Sequence, residues 1–184
     1  ERESGFLDDA SQGQLRYCRV LTGRSTIEEY EAWVGTKADP EDPAFYNRIG
    51  LAFAFLTPHE GAELQPARAL EVLQPILDNG MDLNSIGWQA IARARILLGD
   101  AEGSLEAAKE MARRIGARDL EERSVSELML AAAYGLNGDE ENAEWCLQRA
   151  RRLKTDLIAG NEEAWANGLL VNTFDLYADI AEGR

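Results

Sequence analysis

Two stretches of this chain, 39 residues apart, carry the same helix–turn–helix pattern, and this repetition constrains the fold more than any other feature. The first stretch centres on Gly99-Asp100 and the second on Gly138-Asp139. In both, a helical pattern of apolar residues stops at the glycine and restarts after the aspartate. Glycine ends a helix in the left-handed conformation without steric penalty. The repetition therefore predicts two consecutive helix hairpins.

Small residues lie at matched distances from each turn. Seven residues before the glycine are Ala92 and Ala131, and five residues after it are Ser104 and Ala143. Two antiparallel helices pack closely only where the side chains at their crossing are small. We therefore expect Ala92 to meet Ser104 in one hairpin and Ala131 to meet Ala143 in the next.

A third matched position lies eleven residues before each turn glycine, where the two stretches have Trp88 and Glu127. A C-terminal segment has Trp165 at the corresponding place. The pattern resembles the tetratricopeptide repeat, in which Gly-Asp makes the turn and small residues line the second helix. The resemblance implies an all-α fold, a right-handed superhelical solenoid of antiparallel helix hairpins.

The chain departs from the family pattern at three places. Arg95 stands where an aromatic residue is usual, and Gly116 and Thr155 stand where the closing proline is expected. These departures indicate a divergent helical-hairpin solenoid. An ordinary helical bundle remains the alternative, because amphipathic helices alone are compatible with both architectures.

Helix signals extend along the whole chain, and strand signals are almost absent. Ser25 with Glu28 and Ser124 with Glu127 have the spacing of capping boxes, and Asp42 precedes a proline at the first helical position. We predict nine helices, at about 10–22, 25–35, 42–56, 65–78, 83–98, 102–116, 122–136, 140–154 and 161–182.

These helices are expected to form one repeat domain. A length of 184 residues fits a single domain. Residues 1–9 are expected to fray, and residues 10–184 to form the domain. Within it we predict a degenerate unit at 10–40, repeats at 42–79, 83–117 and 122–155, and a C-terminal capping helix at 161–182.

The composition excludes several functions. A formal net charge of −14 argues against binding nucleic acid, because phosphate contacts need a basic surface. No apolar run is long enough to cross a membrane, which favours a soluble, cytoplasmic protein. Cys18 and Cys146 lie in helical patterns and are expected to be buried free thiols. Because the chain begins at Glu1, we expect a processed product or an excised fragment.

Residues with catalytic or metal-binding spacing are not found in the sequence. His59 is the only histidine, and the segment around it lacks the second histidine of a zinc protease motif. The carboxylates are plentiful, but on amphipathic helices they are normally the solvated face. We therefore predict no enzyme activity, no cofactor and no metal.

The resemblance implies that a partner binds in a concave groove lined by the first helices of the hairpins. The wall is mostly apolar, with Arg93 as its one definite charge, which indicates an apolar or basic protein segment as the partner. We expect a non-catalytic protein-interaction or scaffold module; a small-molecule sensor or carrier, its ligand enclosed by the helices, is the alternative. The groove positions carried over are Asn47, Leu51, Phe55, Gln89, Arg93, Ile96, Leu128, Ala132 and Asn167.

The C-terminal helix is apolar over a wider arc than a capping helix needs, since a terminal unit should have a polar outer face. A stripe through Leu170, Phe174 and Tyr177 is therefore predicted to contact a second copy in a twofold dimer, or the next repeat of a longer array. Burial of this stripe within the fold is the alternative.

Overall fold

The computed structural model describes residues 9–37, 39–58, 63–115, 120–160 and 171–184. Within these ranges the chain forms nine α-helices and one 3₁₀ turn and has no strand, so the all-α prediction is confirmed. The 3₁₀ turn, Pro43–Tyr46, leads directly into α3. The helices are α1 (Asp9–Leu21), α2 (Ile27–Gly35), α3 (Asn47–Leu56), α4 (Pro66–Asp78), α5 (Ser85–Leu97), α6 (Ala101–Arg114), α7 (Leu120–Leu136), α8 (Glu140–Gly160) and α9 (Val171–Ala181).

The contacts divide the chain into two compact units, one up to Asp82 and one from Leu83. In the first unit, α3 packs against α1, α2 and α4, and α1 packs more on α3 than on α2. The hydroxyl of buried Tyr30 donates to the carbonyl of Asn47 at 3.3 Å, which joins α2 to α3. A Cβ at Gly50 would lie 2.5 Å from that hydroxyl, so glycine permits this approach.

In the second unit the closest helix pairs are α5 with α6 and α7 with α8. Helix α7 also packs against α5, α6 and α9. The four small residues expected at the two crossings, Ala92, Ser104, Ala131 and Ala143, are all buried. The second unit therefore consists of two antiparallel hairpins followed by α9.

Both Gly-Asp turns have the predicted geometry. Gly99 and Gly138 have φ values of 72° and 73°, the left-handed conformation that glycine adopts freely. The amides of Asp100 and Asp139 each donate to the carbonyl five residues earlier at 3.0 Å. The carboxylates of the same aspartates accept from the amides three residues later, at 3.0 and 3.2 Å, and so cap the second helix of each hairpin.

The predicted helix starts are partly wrong. The cap at Asp42 is confirmed, since its carboxylate accepts from the amide of Ala44 at 2.8 Å. The first capping box forms one residue further along than predicted, between Thr26 and Glu29. The second does not form, because Ser124 lies inside α7 and is buried, and its hydroxyl donates to a carbonyl of α8 at 3.2 Å. Tertiary packing, and not a helix end, satisfies this serine.

Two helix boundaries also differ from the expectation. Helix α8 continues to Gly160, beyond the predicted end at 154. The predicted C-terminal helix is described only from Val171 onward, and its first ten residues lie outside the described ranges. None of the described helices combines the length and the hydropathy needed to cross a membrane.

Candidate functional site

The structure places six of the nine predicted groove residues in the core: Leu51, Phe55, Arg93, Ile96, Leu128 and Ala132. Asn47 and Gln89 are half-buried, and Asn167 lies outside the described residues. The cause is visible in α5, where every residue from Ala90 to Ala94 is buried. A helix that is covered around its circumference has no open face, so the positions that the family leaves exposed are internal here.

Arg93, the expected charge of the groove, is a buried link between α5 and α9. Its side chain is only 5% exposed, and its Nε donates to the hydroxyl of Tyr177 at 3.1 Å. The guanidinium carbon lies 5.6 Å from the centre of the Tyr177 ring. These contacts are those of a structural residue.

The residues predicted for a dimer contact are buried within their own chain. Phe174 and Tyr177 are 5% and 1% exposed, because α9 packs on α7 and α8. Leu170 lies outside the described residues. Burial within the fold, the alternative considered for this stripe, therefore accounts for Phe174 and Tyr177.

A cleft that the sequence did not predict lies between α6 and α7. It has a volume of about 310 Å³ and is open to solvent. Helix α7 contributes positions 123, 126, 127 and 130, whose spacing places them on one face of the helix. The lining residues are Ala112, Ile115, Arg123, Ser126, Glu127 and Leu130.

Glu127 is one of the three polar residues that line this cleft, with Arg123 and Ser126. One carboxylate oxygen, Oε1, is 2.7 Å from Nη2 of Arg149, while the other, Oε2, is buried and has no hydrogen-bond partner among the described residues. Burial raises the pKa of Glu127, and the charge of Arg149 and a hydrogen bond from the Cys146 thiol act in the opposite direction. The carboxylate that lines the cleft is therefore held from α8 by Arg149 and Cys146, and its Oε2 is enclosed by the protein.

Helix α8 supplies the groups behind this carboxylate. Burial raises the pKa of Cys146 to about 12, so this thiol stays protonated at neutral pH and donates to Glu127. Arg149 contacts Glu127 and also lies over the ring of exposed Trp145, 4.4 Å from its centre. The other cysteine, Cys18, is exposed, which corrects the expectation that both thiols are buried.

The Cys146 thiol behind the cleft is not activated as a nucleophile. A thiol with a raised pKa is a poor nucleophile, because the thiolate is the reactive form. Across the described ranges, no group of three or more histidine, cysteine, aspartate and glutamate residues is placed to hold a metal ion. His59 lies outside those ranges.

One sequence signal could have located the cleft. Glu127 occupies the repeat position at which the aligned segments have Trp88 and Trp165. A charged residue at a position where its counterparts are large and apolar breaks the local pattern, and such breaks tend to occur at functional sites. No comparable sequence signal marks the residues that α6 contributes to the cleft or those of α8 that lie behind Glu127.

Helix hairpins with a cleft of mixed polar and apolar lining between them define an all-α protein with a candidate site. No family model, no curated protein and no solved structure matches the chain.

Proposed function

We propose that this chain is a non-catalytic protein-interaction module built from tetratricopeptide-like helix hairpins, which wind as a right-handed superhelix. Three observations on the second unit support the repeat. The α5–α6 and α7–α8 turns have the same geometry, the expected crossing residues are buried, and the successive first helices α5, α7 and α9 pack one on the next. Stacked helix hairpins are scaffolds on which partner segments bind.

The observation that carries the proposed function is the α6–α7 cleft, whose lining combines the Glu127 carboxylate with apolar side chains. The cleft lies where one hairpin meets the next, and Glu127 contributes a carboxylate to its lining. The net charge of −14 favours approach of a basic partner. The favoured partner is therefore a basic, partly apolar protein segment.

A small-molecule carrier is the second candidate, because a volume of about 310 Å³ is also large enough for a compact ligand. A carrier site is expected to enclose its ligand, and this cleft is open to solvent. The open geometry favours a segment of a protein over an enclosed ligand.

Selection from a peptide library displayed on phage tests the function. We expect enrichment of peptides with arginine or lysine beside apolar residues, which bind with micromolar dissociation constants in calorimetry and weaken as salt rises. The matched control is Ala112→Trp. Ala112 is exposed on α6 and lines the cleft, so tryptophan there should block the cleft and leave the fold intact.

Binding of the selected peptides should fall at least about tenfold in this variant, which corresponds to the loss of roughly 1.4 kcal/mol. A selection that gives no peptide with a dissociation constant below about 1 mM would overturn the proposed function. Equal binding of the peptides to the unmodified protein and to Ala112→Trp would show that they bind outside the cleft. The cleft would then no longer support the proposed function.

A further inference from the structure

We propose that Asn79 is a site of spontaneous covalent modification, at which the side-chain amide is converted to aspartate or isoaspartate through a cyclic succinimide. The reacting groups are an asparagine and the backbone amide of the glycine that follows it. The sequence has three such Asn-Gly pairs, at 79–80, 137–138 and 167–168, and the first two lie in the described part of the chain. Each of these two follows a helix and has its glycine in the left-handed conformation, with φ values of 65° and 73°.

The reaction needs only these two residues and water. The amide nitrogen of Gly80 loses its proton and attacks Cγ of Asn79, so that a bond between this nitrogen and Cγ forms. The bond between Cγ and Nδ2 then breaks, and Nδ2 leaves as ammonia with a proton from solvent. Water adds to one of the two ring carbonyls and opens the ring, which gives aspartate or isoaspartate. Glycine favours the attack because no side chain crowds its nitrogen.

The bonds that hold the Asn79–Gly80 pair within the described residues all come from the last turn of α4. Nδ2 of Asn79 donates to the carbonyl of Pro75 at 2.8 Å, and the amide of Gly80 donates to that of Leu77 at 2.9 Å. Both bonds must open before the nitrogen can reach Cγ. Because Pro75 lies inside α4 and has no amide hydrogen, the turn lacks a hydrogen bond to the carbonyl of Glu71. The end of α4 therefore opens at low cost.

Asn137 is equally exposed, but a bond from another hairpin holds its side chain. Its Nδ2 donates to the carbonyl of Ala133 within α7 and also to the carbonyl of Ala101 at the start of α6, each at 2.7 Å. Freeing the Asn137 side chain therefore breaks a contact between two hairpins as well as a bond within one helix. The fold thus protects Asn137 more than Asn79.

Conversion of Asn79 changes the end of α4 in two ways. It adds a negative charge beside Asp78 at the C-terminal end of the helix, where the helix dipole disfavours such a charge. The isoaspartate product also lengthens the backbone by one methylene group in the connection from α4 to α5. The chain therefore exists in two covalent forms that differ in charge and in this connection.

Incubation of the full chain in mildly alkaline buffer, followed by peptide mapping with mass spectrometry, tests the site. The mass of each peptide reports the conversion, and electron-transfer fragmentation distinguishes isoaspartate from aspartate. We expect Asn79 to convert at least about tenfold faster than Asn137 in the folded protein, a difference of about 1.4 kcal/mol in the barrier. In guanidinium chloride, where both sites lose their hydrogen bonds, the two rates should become nearly equal.

Two proline variants give the matched comparison. Pro75→Ala supplies the missing amide to the last turn of α4, and it should slow the conversion of Asn79 at least about threefold. Pro66→Ala makes the same change at the first residue of α4, where an amide has no partner within the helix, and it should leave that rate unchanged. The rate at Asn137 should be the same in both variants.

Equal rates at Asn79 and Asn137 in the folded protein, or a difference that persists in guanidinium chloride, would overturn the selection of Asn79 by the fold. A folded protein in which Asn79 stays intact while the unfolded chain converts would overturn the site itself. Equal rates in Pro75→Ala and Pro66→Ala would overturn the missing amide as the cause. The comparison of folded with unfolded protein needs no variant, so it decides the proposal even if Pro75→Ala alters the fold.

Discussion

Trp88 and Glu127 each lie eleven residues before the glycine of a Gly-Asp turn, and their side chains differ in chemistry. Each contains a buried polar atom that has no hydrogen-bond partner in the described part of the chain, Nε1 in Trp88 and Oε2 in Glu127. Each also has an arginine from the second helix of its hairpin beside it: Arg114 lies 5.4 Å from the Trp88 ring centre, and Arg149 lies 2.7 Å from the Glu127 carboxylate. The tryptophan presents an aromatic ring to its arginine, whereas the glutamate presents a carboxylate.

The two thiols should differ in reactivity toward a disulfide reagent. Cys18 is exposed, and Cys146 is buried with a pKa raised to about 12, so at pH 8 almost none of it is thiolate. We expect the folded protein to release one fast equivalent of thionitrobenzoate from Ellman's reagent, and a second only after unfolding in guanidinium chloride.

The variant Cys18→Ser is the control for this assignment. It should lose the fast equivalent and retain the one released on unfolding. Two fast equivalents from the unmodified folded protein would mean that the packing of α7 on α8 opens readily around Cys146, and would contradict the buried hydrogen bond to Glu127.

At the scale of helices, small residues set how closely the elements approach. Gly135 of α7 faces the backbone of α9, where a Cβ would lie 2.7 Å from the carbonyl oxygen of Ala181 and 3.0 Å from its Cα. A backbone neighbour cannot rotate away as a side chain can. The contact between α7 and α9, which also buries Tyr177, therefore depends on the absence of a side chain at this position.

Gly135→Ala should destabilise the protein by roughly 1–3 kcal/mol, because the added methyl group forces α9 away from α7. Helix propensity alone would favour alanine by up to about 1 kcal/mol, so the expected sign is opposite to the intrinsic preference. The change in stability is measured from the midpoint and the slope of urea unfolding, compared between the variant and the unmodified protein.

Gly35→Ala is the matched control. Gly35 is the last residue of α2 and would place its Cβ in open space. The free energy of unfolding of Gly35→Ala should therefore be unchanged or up to about 1 kcal/mol higher than that of the unmodified protein. If both variants shifted the midpoint equally and in the same direction, the close approach of α7 and α9 would be refuted.

The helices and their turns were largely predictable, because their signals are local. A glycine that needs a left-handed conformation and an aspartate that caps the next helix act within a few residues, and both Gly-Asp turns form as expected. The serine of the second capping box was misplaced because its hydroxyl bonds to a carbonyl of α8, 26 residues away. Most of the predicted groove residues are buried for a similar reason, because the exposure of a helix face depends on which other helices pack on it.

At the scale of the whole molecule, the candidate site belongs entirely to the unit that begins at Leu83. Its cleft is lined from α6 and α7, and the groups behind Glu127 come from α8. The sequence aligns Glu127 with Trp88 by its distance from the Gly-Asp turn, yet the three helices meet only through tertiary packing that no local pattern encodes. The fold was therefore more predictable than the cleft.

The same unit has a core of its own, which predicts that it folds without the rest of the chain. Large side chains from each of its five described helices are buried, among them Ile91, Met111, Met129, Leu147 and Tyr177. A fragment of residues 83–184 is long enough to bury roughly 65% of its unfolded surface. We expect this fragment to show a helical circular dichroism spectrum and one cooperative thermal transition.

Two variants of the fragment, each with one leucine replaced by aspartate, test whether the thermal transition reflects unfolding of this core. Leu128→Asp places an unpaired charge at a position that is 2% exposed, and should abolish the transition. Leu98→Asp makes the same change at the 49% exposed end of α5, and should alter the stability by no more than about 0.5 kcal/mol. A fragment that melts gradually, or that responds equally to the two substitutions, would show that the core of this unit does not sustain the fold alone.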